Sequence, residues 1–152
     1  MPPDPILARL HAGVTTGSAD ETRALAAALA RVLPAAATLA LHGDLGVGKT
    51  TFVQGLAAGL GIREPVTSPT FNLFTLHRGP TNLLHLDAYR LERAGDVESL
   101  LLSDFMTPPW CLAVEWPERI AGWLPADTWH LDLGITPDER HTIRLRTPGG
   151  AG

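Results

Sequence analysis

A glycine-rich turn in the first half of the chain constrains the fold more than any other feature. Residues 43–50 read Gly-Asp-Leu-Gly-Val-Gly-Lys-Thr and match the phosphate-loop pattern G-x-x-x-x-G-K-[ST]. A short apolar run, residues 37–41, precedes the turn and predicts a buried strand. Residues 49–60 predict a helix that ends at Gly61. The pattern therefore lies between a predicted strand and a predicted helix, which is the context it needs to bind phosphate.

The chemistry of phosphate binding explains each part of this pattern. Glycines let the backbone wrap around an anion with no Cβ in the way. Successive amides and the positive end of the following helix attract negative charge. Lys49 would contact the β- and γ-phosphates, and the Thr50 hydroxyl would coordinate Mg²⁺. We expect nucleotide contacts along the whole segment, from Gly43, Asp44, Leu45, Gly46, Val47, Gly48, Lys49, Thr50 and Thr51.

The lysine count helps to identify the nucleotide. Lys49 is the only lysine among the 12 basic residues. A guanine-specific GTPase is expected to carry Asn-Lys-x-Asp, which requires a second lysine, and no aspartate of this chain has a glycine three places on, as a switch motif requires. ATP is therefore the expected nucleotide.

Acidic residues follow two of the predicted buried strands. Asp87 ends the run of residues 83–86, and Glu115 ends the run of residues 111–114. An ATPase of this type needs an acid at such a strand end, to hold Mg²⁺ and to orient the attacking water. Either acid alone could be an ordinary strand exit, but two of them predict at least one metal role. His85 shares a strand face with Asp87, and we expect a structural histidine that positions the acid rather than a metal pair.

The rest of the chain predicts one α/β domain, residues 1–152, with loose ends at residues 1–12 and 147–152. A capping box at residues 18–21 begins a helix over residues 22–33, and residues 96–102 predict a second short helix. Residues 117–123 predict one or two further helical turns. The fold class expected is a P-loop NTPase-like three-layer α/β sandwich with a mixed parallel and antiparallel central sheet. Its remaining strands are predicted at residues 71–76, 83–86, 111–114, 129–133 and 142–146.

Composition narrows the functional class. The 152 residues are 45% hydrophobic and 18% charged, which is typical of a globular chain. One cysteine, and neither a signal-peptide pattern nor a membrane span, predict a cytoplasmic protein with no membrane role. The net charge of −4 argues against direct binding to DNA or RNA, which needs clustered basic residues.

Four segments, in order, resemble the TsaE (YjeE) family of bacterial ATPases, which are required for threonylcarbamoyl modification of adenosine 37 in tRNAs that read ANN codons. The phosphate loop is shared with many proteins. The other three segments are specific, and they are Ser-Pro-Thr-Phe at residues 68–71, His-Leu-Asp-Ala-Tyr-Arg-Leu at residues 85–91, and Val-Glu-Trp-Pro at residues 114–117. The resemblance covers about residues 18–146.

The resemblance implies roles for individual residues. Thr50 and Glu115 would hold Mg²⁺, and Asp87 would act near the metal or the catalytic water; side-chain chemistry alone does not rank the two acids. Residues 67–70 by themselves predict only a Pro-containing turn, but the resemblance implies that Ser68 and Thr70 are switch residues, with Thr70 in catalysis. Further contacts to the nucleotide are implied for Trp116 and Arg140.

The resemblance also implies partners. Proteins of this family act with TsaD and TsaB, so the chain would meet tRNA only indirectly and would have weak ATPase activity alone. A small-molecule kinase is the alternative from another class, although the segment after the phosphate loop has no arginine cluster. A regulatory module that binds ATP without hydrolysing it is a second alternative.

Three further histidines, His77, His130 and His141, have no partners in the sequence at the spacing of metal ligands.

Overall fold

The computed structural model describes residues 5–44, 46–66, 74–91 and 102–147. Three α-helices are present in this part of the chain: α1 (Pro5–Ala12), α2 (Ala19–Ala30) and α3 (Lys49–Gly59). The strands are β1 (Val14–Thr16), β2 (Ala36–His42), β3 (Phe74–His77), β4 (Asn82–Asp87), β5 (Trp110–Glu115), β6 (Trp129–Ile135) and β7 (His141–Arg146).

All seven of these strands form one sheet, in the order β1-β7-β6-β2-β5-β4-β3. The central strands β6, β2, β5 and β4 are mutually parallel. Both flanks are antiparallel, because β7 pairs with β6 and β1, and β3 pairs with β4. The predicted α/β fold with a mixed sheet is confirmed.

Apolar side chains cover both faces of the sheet. On one face, the helices pack against alternate strand residues such as Leu39, Leu83 and Leu131. On the other face, Leu84, Leu112 and neighbouring residues pack against the segments around residues 105–106 and 120–124. The strand residues alternate between these two clusters, as expected for a sheet buried on both faces.

Glycines on α3 let it lie directly against α2. A Cβ placed on Gly55 would lie 2.7 Å from the Ala26 Cβ, and one placed on Gly59 would lie 2.7 Å from the Ala30 Cβ. The close contact fixes the direction of α3, whose first turn follows the phosphate loop. At its other end, Gly61 has a φ of 81°, and the Ile62 amide donates to the Ala57 carbonyl at 2.9 Å. The predicted glycine cap of this helix is confirmed.

The Ser18 half of the predicted capping box forms, Glu21 accepts from the residue before the cap, and the helix runs earlier than predicted. The Ser18 hydroxyl accepts from the Glu21 amide at 3.1 Å, and the Glu21 carboxylate accepts from the Gly17 amide at 2.5 Å. The helix α2 begins at Ala19 and ends at Ala30, before Pro34, with Arg31 as its C-cap.

The expectation of a loose segment at residues 1–12 is wrong for residues 5–12. These residues form α1, whose Ile6 and Leu10 are buried against the sheet cluster. Two apolar side chains four residues apart share a helix face, and they anchor the segment despite its prolines.

Other predicted elements hold in part. The antiparallel pair near the end of the chain is confirmed as β6 and β7. Residues 117–123 contain a short 3₁₀ helix, Pro117–Ile120. The helix predicted at residues 96–102 and the tail at residues 148–152 lie almost wholly outside the described residues. No helix in the described ranges is long and apolar enough to cross a bilayer.

Candidate functional site

The carboxyl ends of the central parallel strands bring the phosphate loop, Glu115 and Asp87 to one edge of the sheet. Glu115, the last residue of β5, is in register with Leu41 on one side and Asp87 on the other. The phosphate loop leaves β2 one residue after Leu41. Since neighbouring strands lie about 4.8 Å apart, Glu115 is one strand from the loop and Asp87 is two strands from it.

The phosphate loop uses glycine where a side chain would be strained or would collide. Gly43, Gly46 and Gly48 have φ values of 146°, 86° and 96°, in the region that favours glycine. A Cβ on Gly43 would also lie 2.6 Å from the Leu133 carbonyl oxygen. The loop therefore lies close against β6, and its backbone conformation depends on these glycines.

Lys49 is held inside the loop. Its Nζ donates to the Gly43 carbonyl at 2.8 Å and lies 3.8 Å from the centroid of the Trp116 ring, so that only 4% of the residue is exposed. Burial lowers the pKa of the Lys49 ammonium, and the negative charge of Glu115 acts in the opposite direction. An ammonium placed inside the loop can form charge-assisted hydrogen bonds with phosphate oxygens.

The Trp116 ring reaches Lys49 from a strained backbone. Trp116 has φ 57° and ψ 51°, a left-handed conformation that is uncommon for a residue with a side chain and costs of order 1–2 kcal/mol. The strain occurs where β5 ends and the 3₁₀ helix begins, directly after Glu115. Strained residues cluster at functional sites, and this one connects the acid to the phosphate-loop lysine.

Glu115 is buried and held by a histidine. The Nε2 of His85 donates to the Glu115 Oε2 at 2.5 Å, and the two residues are 0% and 9% exposed. Within the described residues, the buried His85 Nδ1 has no hydrogen-bond partner. His85 therefore positions Glu115, whereas the sequence pointed to Asp87, its neighbour two residues along β4.

Asp87 has a different environment at the same edge. Its Oδ1 accepts from the Tyr89 amide at 3.0 Å and caps a 3₁₀ turn over residues 88–90, while the side chain remains only partly buried. The Tyr89 and Trp116 rings are tilted by 54° with their centroids 5.2 Å apart, and the Arg119 guanidinium lies 5.0 Å from the centroid of the Tyr89 ring. Successive contacts thus link Lys49, Trp116, Tyr89 and Arg119.

The remaining predicted residues lie at varied distances from this centre. Thr50 and Thr51 are in the first turn of α3, and Asp44 is exposed in the loop. Arg140 pairs with Asp138 at 3.2 Å and lines a polar cavity of about 640 Å³ with Thr15, Gly17, Glu21 and Glu139, so the structure does not bring its side chain to Lys49. Leu45, Ser68 and Thr70 lie outside the described residues.

The residue types present suit a nucleotide-bound magnesium ion. No group of three His, Cys, Asp or Glu side chains that could hold a metal occurs in the described residues. Mg²⁺ is usually bound by one or two carboxylates together with substrate phosphates and water. Glu115 and the Thr50 hydroxyl, beside a loop shaped for phosphate, fit that mode of binding.

One contact to the loop was missed by sequence reasoning. His141, the first residue of β7, lies with its Nδ1 3.0 Å from the Val47 carbonyl oxygen, across 94 positions of the chain. The only signal in the sequence was a histidine at the start of the last predicted strand pair.

Comparisons with known proteins agree with this architecture. The sequence profile of "Threonylcarbamoyl adenosine biosynthesis protein TsaE" matches residues 16–143. The tRNA threonylcarbamoyladenosine biosynthesis protein TsaE of Treponema pallidum is 36% identical, over 84% of this chain and 95% of the relative. The protein of the same description from Bacillus subtilis is 35% identical, over 88% of this chain and 84% of the relative.

A solved structure gives the same result. The crystal structure of YdiB from Bacillus subtilis superimposes with a TM-score of 0.75 and 32% sequence identity, covering 90% of this chain and 85% of that one. Both the length of the match and the identity exceed what a shared fold alone requires. The chain belongs to the TsaE family, proteins of tRNA threonylcarbamoyladenosine biosynthesis.

Proposed function

We propose that this protein binds and hydrolyses Mg-ATP, and that it does so as a partner of the TsaB–TsaD complex in forming threonylcarbamoyladenosine at position 37 of ANN-reading tRNAs. The observation that carries the proposal is the position of Lys49, which is buried inside a loop whose conformation depends on glycines. The Glu115 carboxylate, held by His85, lies nearby.

Each residue of the site has a proposed task. The loop amides and Lys49 bind the β- and γ-phosphates, and Thr50 with Glu115 holds the magnesium ion. The ion supplies neutralisation of the phosphate charge. Asp87, which is more accessible than Glu115, orients the attacking water. Lys49 exchanges the neutral Gly43 carbonyl for an anionic phosphate oxygen, which is the stronger hydrogen-bond acceptor for an ammonium.

The exposed position of Tyr89 supports a partner-dependent activity. Tyr89 is 54% exposed although it is large and apolar, and it contacts the ring that covers Lys49. A protein that covers Tyr89 and Arg119 would act on the phosphate site through Trp116. The net charge of −4 fits the same proposal, because an acidic chain would reach tRNA through its partners.

The single cysteine takes no part in this chemistry. Cys111 lies in the core, and burial raises the pKa of its thiol to about 12.

The proposal is tested by measuring phosphate release from Mg-ATP by the purified protein, alone and with the TsaB–TsaD complex. We expect slow release alone and a changed rate with the complex. A high rate that the partners do not alter would contradict the proposed role. A phosphorylated metabolite from a substrate panel would instead favour the small-molecule kinase.

A cellular test complements the assay. Depleting the protein should lower threonylcarbamoyladenosine in tRNA, and wild-type protein should restore it whereas Lys49→Ala should not. Restoration by Lys49→Ala would show that the role in modification needs no nucleotide.

A further inference from the structure

A distant part of the chain contributes a contact to the phosphate loop, in addition to contacts within the loop itself. Within the loop, the Lys49 Nζ donates to the Gly43 carbonyl. From outside, the His141 Nδ1 lies 3.0 Å from the Val47 carbonyl oxygen. A carbonyl oxygen only accepts hydrogen bonds, so Nδ1 of His141 carries the hydrogen and donates it.

His141 projects from a firmly held backbone. It is in register with Thr16 of β1 on one side and with Ile135 of β6 on the other. The preceding turn is closed by hydrogen bonds from the Thr136 amide to the Arg140 carbonyl at 2.8 Å and from the Arg140 amide to the Thr136 hydroxyl at 3.0 Å. The imidazole therefore offers the loop a donor at a fixed place.

The geometry of one peptide unit gives this contact its consequence. The Val47 carbonyl and the Gly48 amide belong to the same planar trans peptide and point in opposite directions. Holding the carbonyl on His141 aims the Gly48 N–H to the other side of the loop. Gly48 is the N-cap of α3, with a φ of 96°, and a Cβ there would lie 3.3 Å from the His141 Nδ1. Gly48 contributes no side chain that could restrain this peptide, and the contact from His141 therefore helps to set its direction.

We propose that His141 is a positioning residue for phosphate binding, which aims the Gly48 amide at the phosphates by holding the Val47 carbonyl. The inference rests on the proposed nucleotide site and adds to it a residue from the far end of the chain. It concerns the phosphate part of the ligand, not the base, and it requires a donor whose reach matches that of the His141 Nδ1.

The test compares three substitutions that differ in the reach of their donor. In His141→Asn the side-chain amide nitrogen is as many bonds from Cβ as Nδ1, so it can still donate to Val47. In His141→Gln the amide nitrogen lies one bond further out, and in His141→Leu the donor is lost. For each, we would measure the affinity for a fluorescent ATP, its displacement by inorganic pyrophosphate, and the melting temperature without ligand.

Loss of one hydrogen bond that fixes a binding group predicts a roughly tenfold weaker affinity in His141→Leu for ATP and for pyrophosphate alike. His141→Asn should stay within about threefold of wild type, and His141→Gln should resemble Leu. If Leu does not fold, the Asn and Gln pair decides the question.

Three results would overturn the inference. One is equal affinity in all folded variants, with or without a lower melting temperature, which would make the role purely structural. A second is a loss that Asn does not rescue. A third is a loss for ATP but not for pyrophosphate, which would place the effect at the base. Failure of the wild-type protein to bind ATP at all would instead refute the proposed function.

Discussion

Glu115 and Asp87 end adjacent parallel strands in the same register, yet the protein treats the two carboxylates differently. Glu115 is 9% exposed and is held by the fully buried His85. Asp87 is more open and is held by the amide of Tyr89, within its own turn. The buried acid is fixed by an interaction across strands, whereas the open acid depends on a local turn beside an exposed aromatic ring. The difference supports the proposed metal-binding role of Glu115 and the proposed water-orienting role of Asp87.

The largest expected effect separates the two acids by activity. Glu115→Gln should lower ATP hydrolysis on the order of 100-fold, because it removes the charge proposed to hold Mg²⁺. Asp87→Asn, which keeps its cap to the Tyr89 amide, should lower it by about tenfold. Phosphate release at saturating Mg-ATP, with melting temperatures as the folding control, measures both. Equal losses, or a larger loss in Asp87→Asn, would reverse the assignment.

His85 should carry the next largest effect, and it appears in stability. His85→Leu leaves the Glu115 carboxylate buried without its donor, which costs about 3 kcal/mol, or about 8 °C in melting temperature. His85→Gln is the matched control, because its amide nitrogen stands as far from Cβ as Nε2 and can donate to the same oxygen. A melting temperature for Leu equal to that for Gln would mean that the pair does not hold the acid.

The contacts of Tyr89 with Trp116 and Arg119 should contribute little to the free energy of unfolding. Tyr89→Ala removes its contacts with Trp116 and Arg119, worth about 1 kcal/mol at an exposed site. Its effect should appear instead in the response to TsaB–TsaD, while Tyr89→Phe keeps the ring and the response. A large loss of stability in Tyr89→Ala would show that this side is structural, like the Glu115 side.

The smallest effect concerns acid sensitivity away from both carboxylates. His42 and His130 stack with ring centroids 5.1 Å apart and share a hydrogen bond of 2.8 Å between ring nitrogens. Burial lowers the pKa of each below its usual 6.5. Below about pH 6.5 these two histidines therefore bind more protons in the unfolded chain than in the folded protein. The contribution of the pair to the free energy of unfolding is complete above that pH and declines below it.

We expect the double substitution His42→Gln with His130→Gln to flatten the dependence of unfolding free energy on pH between 7.5 and 5.5, by less than about 1 kcal/mol. Denaturant unfolding at the two pH values measures it. An unchanged pH dependence would trace the acid sensitivity to other groups, including those at the site edge.

Local sequence patterns predicted those parts of the site that are formed by residues close together in the chain. The phosphate loop and its flanking strand and helix follow from spacing within residues 37–61. Asp87 and Glu115 were each predicted at the end of a buried strand, and in the structure those two ends are adjacent because β4 and β5 are parallel. These inferences need no knowledge of which side chains meet across the sheet.

Contacts between distant segments could not be predicted in this way. His85 meets Glu115 because β4 and β5 align His85 with Ala113, which leaves Glu115 diagonally ahead on the same face. His141 meets Val47 because β7 pairs with β6, which brings a late part of the chain to the phosphate loop. The helix α1 was missed because prolines near the start of the chain masked the Ile6 and Leu10 pair, whose burial depends on contact with the rest of the fold.

The central claim is that the loop around Lys49 binds Mg-ATP through its phosphates. Calorimetric titration of Mg-ATP into wild-type protein and into Lys49→Ala, with melting curves to confirm that both are folded, tests it most directly. The account predicts measurable binding to wild type and at least about 100-fold weaker binding to Lys49→Ala, since a charge-assisted contact of about 3 kcal/mol is removed. Unchanged affinity in the folded Lys49→Ala protein would contradict the account.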